Sequence, residues 1–197
     1  NFLKSKLNTS VFQKKGHLNP TCIDTKTCIV FMGTIKKRDL NLSKMRNLAK
    51  LLANSAKTGD TICLQGELGV GKTSFARLFI NEMAKKNGKK LTERVVSPTF
   101  TLVQIYSFRK KAIWHFDLYR IKNEDELYEL GIEEAFSSGI SLIEWPEKLG
   151  YFTPLNRLEV NFNFSKKSSS RNLEFVGFGS WKRRAEKVLV GREKQIN

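Results

Sequence analysis

The chain has 197 residues, 40% of them hydrophobic, and a formal net charge of +16. That length suits one domain with a core of its own, and no apolar run approaches the roughly 20 residues of a membrane span, so a soluble protein with no membrane partner is expected. Cys22, Cys28 and Cys63 are too few and too irregularly spaced for a zinc site or a disulfide framework. The charge is concentrated at the ends: residues 1–38 carry a net +7, residues 165–197 a net +6, and the middle only +3.

The leader 1–38 is acid-poor, with Ser, Thr and Asn among its basic residues, and Asn1 in place of an initiating Met reads as a fragment or processed form. Three readings stand for it: a targeting remnant, a basic arm contacting RNA, or a solvated extension. Cytoplasm is the expected compartment, or a plastid or mitochondrion if the leader is a targeting remnant. Within it, Cys28–Met32 is a candidate edge strand.

The main domain is expected over 39–180. Leu42, Met45, Leu48, Ala49 and Leu52 form a helical stripe that ends near Gly59. Thr61-Ile62-Cys63-Leu64 reads as a buried strand, with Cys63 a buried free thiol. Gly66-Glu67-Leu68-Gly69-Val70-Gly71-Lys72-Thr73 then fits G-x-x-x-x-G-K-[ST], the loop that cradles nucleotide phosphates. Its glycines let the backbone curl around an anion, and the amides of the loop and of the following helix point at the phosphates. Lys72 supplies a charge for the outer phosphates, and the Thr73 hydroxyl is placed to ligate Mg²⁺. Phe75, Leu78, Phe79 and Met83 have helical spacing, so strand, loop and helix follow in the order the motif requires.

Further on, Val103–Tyr106 and Ile113–Phe116 read as a hairpin. Asn123 is an expected N-cap for a helix running to about Gly131. Ile140–Ile143 is an apolar strand stopped at Glu144-Trp145-Pro146, and Leu158–Phe164 with Leu173–Phe178 form an antiparallel pair. Residues 181–197 form a basic terminal helix and tail, whose Lys182-Arg183-Arg184 cluster reads as a solvated face. The fold class is α/β: a three-layer phosphate-loop NTPase fold with a mixed, mainly parallel sheet.

Hydrolysis needs more than a phosphate loop: an acid to hold the metal and a group to orient water. Glu144, at the carboxyl end of an apolar strand, is the candidate metal ligand. Asp117 ends the neighbouring strand and could reach Mg²⁺ or a water, or else serve as a cap or a partner for Arg120. His115 reads as a packed strand residue, and Phe116, Tyr119 and Trp145 as core. Ser97 and Thr99 occupy a Pro-containing loop that is either a nucleotide-sensing segment or a turn.

Several of these blocks together resemble the TsaE (YjeE) family of ATPases. They are Gly59-Asp60, the loop 66–73, Ser97-Pro98-Thr99-Phe100-Thr101-Leu102-Val103, His115-Phe116-Asp117-Leu118-Tyr119-Arg120, Glu129-Leu130-Gly131-Ile132 and Glu144-Trp145-Pro146, in the family's order over roughly 40–178. The resemblance implies an ATP site of Gly66 to Ser74 and Thr99, with Mg²⁺ held by Thr73 and Glu144. It implies that Lys72 and Asp117 serve hydrolysis. It further implies support for threonylcarbamoyladenosine modification of tRNA at adenosine-37 by driving a TsaB–TsaD-type complex, with tRNA contacted indirectly or through the basic tails. The rivals are a small-molecule kinase, for which only Arg109 and Arg120 could serve a lid, and a nucleotide-dependent RNA- or protein-binding module. A GTPase would need an Asn-Lys-x-Asp block, which the sequence lacks.

Overall fold

The computed structural model describes the backbone of residues 28–31 and the whole of residues 33–89, 95–108 and 111–191. The readings of the leader ahead of Cys28 and of the tail beyond Gly191 lie outside the described residues.

One eight-stranded sheet forms the middle layer, in the order β1-β2-β8-β7-β3-β6-β5-β4. Its centre is parallel: β5 (Lys111–Asp117) pairs with β6 (Ile140–Glu144), β6 with β3 (Thr61–Gln65), and β3 with β7 (Arg157–Phe164). The flanks are antiparallel: β4 (Val103–Phe108) against β5, β8 (Arg171–Gly177) against β7, β2 (Thr34–Leu40) against β8, and β1 (Cys28–Phe31) at the edge against β2. The sheet is therefore mixed as expected, with its parallel part confined to the four central strands. β3 and β6 are apolar on both sides because helices cover both faces there.

On one face, α1 (Leu42–Ser55), α2 (Lys72–Lys86) and α5 (Trp181–Leu189) bury their apolar stripes against Ile62, Leu64, Leu142, Val160 and Phe175. Asn41 starts α1, its Oδ1 accepting the Lys44 N–H at 3.0 Å. Phe75 of α2 meets Phe162 of β7 edge-to-face with ring centroids 5.6 Å apart, so Phe75→Ala would cost about 3–5 kcal/mol. On the other face, α3 (Glu126–Glu129), α4 (Ile132–Ser138) and a 3-10 segment (Pro146–Phe152) cover Trp114, Phe116 and Ile143. Cys63 is buried on this side, and burial pushes its thiol up to about 12.

Four expectations change. Residues 34–38, placed in the leader, belong to β2, where Ile35 is buried and even Lys37 is only 3% exposed. The helix expected over 123–131 is a single turn, α3, and Asn123 accepts the Asp125 N–H rather than capping a longer helix. Gly131 (φ +73) breaks the helix there, and a Cβ would sit 3.3 Å from the Trp114 ring; α4 follows it. Finally, Arg184 is not solvated. It bonds the buried Asp60 carboxylate and stacks at 3.7 Å on the buried Trp181 ring, leaving Lys182 and Arg183 exposed.

Candidate functional site

The parallel strands β3, β6 and β5 all end at one edge, and the phosphate loop leaves from β3 there. Gly66 has φ +137, and a Cβ would come within 2.6 Å of the Phe162 carbonyl oxygen, so the loop can start only on glycine. Val70 is fully buried and pins the middle of the loop to the core. Glu67, Leu68 and Gly69 are exposed at its crest.

Leu68, Gly69, Gly71, Lys72, Thr73 and Ser74 line a cleft of about 200 Å³, closed opposite by Thr99, Asp117, Tyr119, Glu144 and Trp145. Gly66, Glu67 and Val70 do not line it; they shape the loop from behind. Lys72 Nζ donates to the carbonyl oxygens of Gly66 at 2.7 Å and Glu67 at 2.9 Å. Burial holds the Lys72 ammonium below its ordinary value, while the carboxylates of Glu144, Asp117 and Glu147 oppose that shift.

Two carboxylates stand side by side, because Asp117 and Glu144 are register partners on β5 and β6. Glu144 Oε2 accepts the Thr73 hydroxyl at 2.8 Å, and Oε1 lies 2.9 Å from His115 Nε2. His115 is fully buried, two residues before Asp117 on the same face of β5. A carboxylate acceptor at Nε2 favours the tautomer with the proton there; Nδ1 is buried without a hydrogen-bond partner. Asp117 Oδ2 accepts the Thr99 hydroxyl at 2.7 Å, and Ser97 and Thr99 hydroxyls are 2.9 Å apart. Since the single Thr99 proton goes to Asp117, Ser97 must donate to Thr99. Asp117 Oδ1 receives only a long bond, 3.3 Å, from the Tyr119 amide.

The geometry thus brings Lys72, Thr73, Ser74, Thr99, Asp117 and Glu144 together. It corrects three readings. Trp145 and Tyr119 are cleft walls rather than core: the Trp145 ring lies 3.8 Å from Lys72 Nζ and 4.9 Å from the Tyr119 ring. Trp145 adopts φ +61, a strained conformation for a bulky residue, and this turns its ring over the loop. His115 is packed, as expected, but it also orients Glu144. Arg120 lies over the Phe100 ring at 5.8 Å. The signals that could have marked Trp145 and Tyr119 are positional: each stands just beyond a carboxylate at a strand end.

Thr73 and Glu144 offer hard oxygen donors that suit Mg²⁺. Among the described residues no group of three His, Cys, Asp or Glu side chains is placed to hold a metal. A cation here would therefore take most of its shell from phosphate and water, as Mg²⁺ prefers.

The sequence profile of the family described as threonylcarbamoyl adenosine biosynthesis protein TsaE matches residues 40–173. A tRNA threonylcarbamoyladenosine biosynthesis protein TsaE from Rickettsia prowazekii is 44% identical over 116 residues, 59% of this chain and 77% of that protein. The protein of the same name from Bacillus subtilis is 36% identical over 130 residues, 66% of this chain and 77% of its own length. The crystal structure of Bacillus subtilis YdiB superposes with a TM-score of 0.61 at 27% identity, covering 83% of this chain and 97% of that one. With a phosphate-loop NTPase fold and a profile match over most of its length, the chain belongs to the TsaE family.

Proposed function

We propose that the chain is a Mg²⁺-dependent ATPase that supports threonylcarbamoyladenosine modification of tRNA by driving a TsaB–TsaD-type complex. The observation that carries the hydrolytic reading is the Thr73–Glu144 bond, which sets the loop hydroxyl against a strand-end acid whose register partner is Asp117. The pathway is supported by the names of the relatives.

ATP phosphates would take the amides of the loop and the first turn of α2. Lys72 would exchange the Gly66 and Glu67 carbonyls for phosphate oxygens. Thr73 and Glu144 would hold Mg²⁺, which when bound supplies charge neutralisation on the phosphates. Asp117 Oδ1, the less engaged of its two oxygens, would orient the attacking water, while Thr99 and Ser97 fix the carboxylate from behind.

Phosphate release from ATP should require Mg²⁺ and stay slow for the isolated chain, rising when a TsaB–TsaD-type complex is added. Fast turnover without that complex would overturn the coupled reading. No turnover under either condition would favour the non-catalytic module.

A further inference from the structure

A second groove, of about 590 Å³, lies between the end of β2 and the β7–β8 turn. It is on the same sheet edge as the phosphate loop, because β7 is parallel to β3 and the turn follows β7. Among the described residues, Lys36, Lys37, Arg38, Lys166 and Lys167 line it, against only Asp39 and Glu174. Both acids are engaged: Glu174 pairs with Lys36 at 2.7 Å, and Asp39 accepts the Ser165 hydroxyl. Arg38, Lys166 and Lys167 are exposed, and none pairs with an acid among the described residues.

The groove is built rather than incidental. Between the pairs Lys37–Leu173 and Leu40–Arg171, β2 carries one extra residue, a bulge with Asp39 at φ +50. Asn172 Oδ1 accepts the Asp39 N–H at 3.0 Å and so holds the bulge against β8. The turn is tied in turn to the nucleotide site: Arg171 Nε donates to the Val70 carbonyl oxygen at 2.8 Å, and Nη1 holds Ser168 and Ser170 carbonyl oxygens at 2.8 and 2.7 Å. The Arg171 guanidinium lies 5.0 Å from the Phe164 ring, which is half-exposed beside the groove.

We propose that this groove binds the phosphodiester backbone of a folded RNA, next to the triphosphate site and linked to it through Arg171. Arg38, Lys166 and Lys167 would take phosphates, and Asn163, Asn172 and Ser165 suit ribose hydroxyls. Phe164 offers a stacking face. An acidic protein partner fits less well, since among the described lining residues the apolar one, Leu173, is fully buried, which leaves Phe164 beside the groove as a lone apolar contact rather than a packed anchor cluster. The choice of RNA rests on the tRNA pathway proposed above; the anion site does not.

The test is binding of a tRNA transcript to the full chain across a salt series, compared with the triple variant Arg38→Glu, Lys166→Glu, Lys167→Glu. The variant should bind at least ~10-fold more weakly, and its slope of log affinity against log salt should fall by about 2 to 3. The milder pair Lys166→Gln, Lys167→Gln should show about two-thirds of that slope change, and both variants should bind ATP as the parent does. Unchanged affinity and slope would overturn the proposal, placing any RNA contact on other basic segments. So would a parent chain that binds no tRNA, or a triple variant that loses only an acidic protein partner. Hydrolysis measured on the same samples keeps the two readings apart: groove-dependent RNA binding without ATP turnover sinks the ATPase alone, and turnover without it sinks the groove alone.

Discussion

Asp117 and Glu144 are neighbours in one row of the sheet, yet their surroundings differ in kind. Glu144 is held from both sides by regular structure, Thr73 on α2 and His115 on β5. Asp117 is held by a loop: Thr99, itself bonded by Ser97, reaches it from a segment that ends at Leu102, a non-glycine residue at φ +63. Leu102 also docks that loop, its N–H bonding the Pro98 carbonyl and its carbonyl accepting the Asp117 N–H. A group fixed by packed elements is preorganised before ligand arrives, whereas a group fixed by a strained loop can be adjusted by whatever touches the loop. The Glu144 side of the cleft is thus preorganised in the free protein, and the loop-held Asp117 side is where a partner could act.

The largest expected effect breaks the rigid side. Glu144→Ala removes the acid and strands the buried His115 Nε2, worth about 1–3 kcal/mol of lost satisfaction, while the Thr73 hydroxyl is left facing the cleft. Partner-stimulated hydrolysis should fall by ~10³-fold or more, and Mg²⁺ should no longer strengthen nucleotide binding in a fluorescence titration. Survival of Mg²⁺-dependent binding would remove Glu144 from the metal site. Asp117→Asn keeps an acceptor for Thr99, so nucleotide affinity should hold while single-turnover hydrolysis drops about 10²-fold. An equal loss of binding would make the two carboxylates equivalent and erase the distinction. His115→Gln sharpens it: a positioning residue for Glu144 should shift the Mg²⁺ titration about 10-fold and leave Mg²⁺-free nucleotide binding unchanged.

What could be read in advance was local. The loop 66–73 and its flanking strand and helix, the β4–β5 hairpin and the β7–β8 pair each follow from short-range pattern, and so does the placement of Asp117 and Glu144 at strand ends. What could not be read depends on partners far away in the chain. Lys37 looks solvated until β8 pairs alongside it, and Arg184 until Asp60 at the start of β3 meets it. Trp145 looks apolar enough for a core, and only its left-handed backbone turns the ring over Lys72. His115 is packed, as its place in an apolar strand predicts, but its bond to Glu144 depends on β5 and β6 being neighbours, which no single-segment pattern announces. The same holds for the basic groove, whose lining comes from β2, β7, β8 and one turn.

The subtlest expected effect concerns Lys72, which senses both carboxylates. In the free protein its ammonium sits below the ordinary 10.5 because burial disfavours charge, while Glu144 and then Asp117 push it back up. A bound triphosphate favours the charged form, so nucleotide binding takes up a proton once pH passes the free-state value. Affinity should therefore decline as pH rises through the lowered free-state value toward 10.5. Removing a carboxylate charge removes an upward push, so the decline should begin at lower pH in Glu144→Gln and in Asp117→Asn. The shift should be greater for Glu144→Gln, because Glu144 exerts the larger effect on Lys72. Dissociation constants for ATP measured in Mg²⁺-free buffer between neutral pH and 10.5 isolate this from metal binding. Equal shifts would mean that Lys72 is no nearer, in electrostatic terms, to the rigid side of the cleft than to the loop-held side. A shift to higher pH in either variant would mean that Lys72 is not the titrating group.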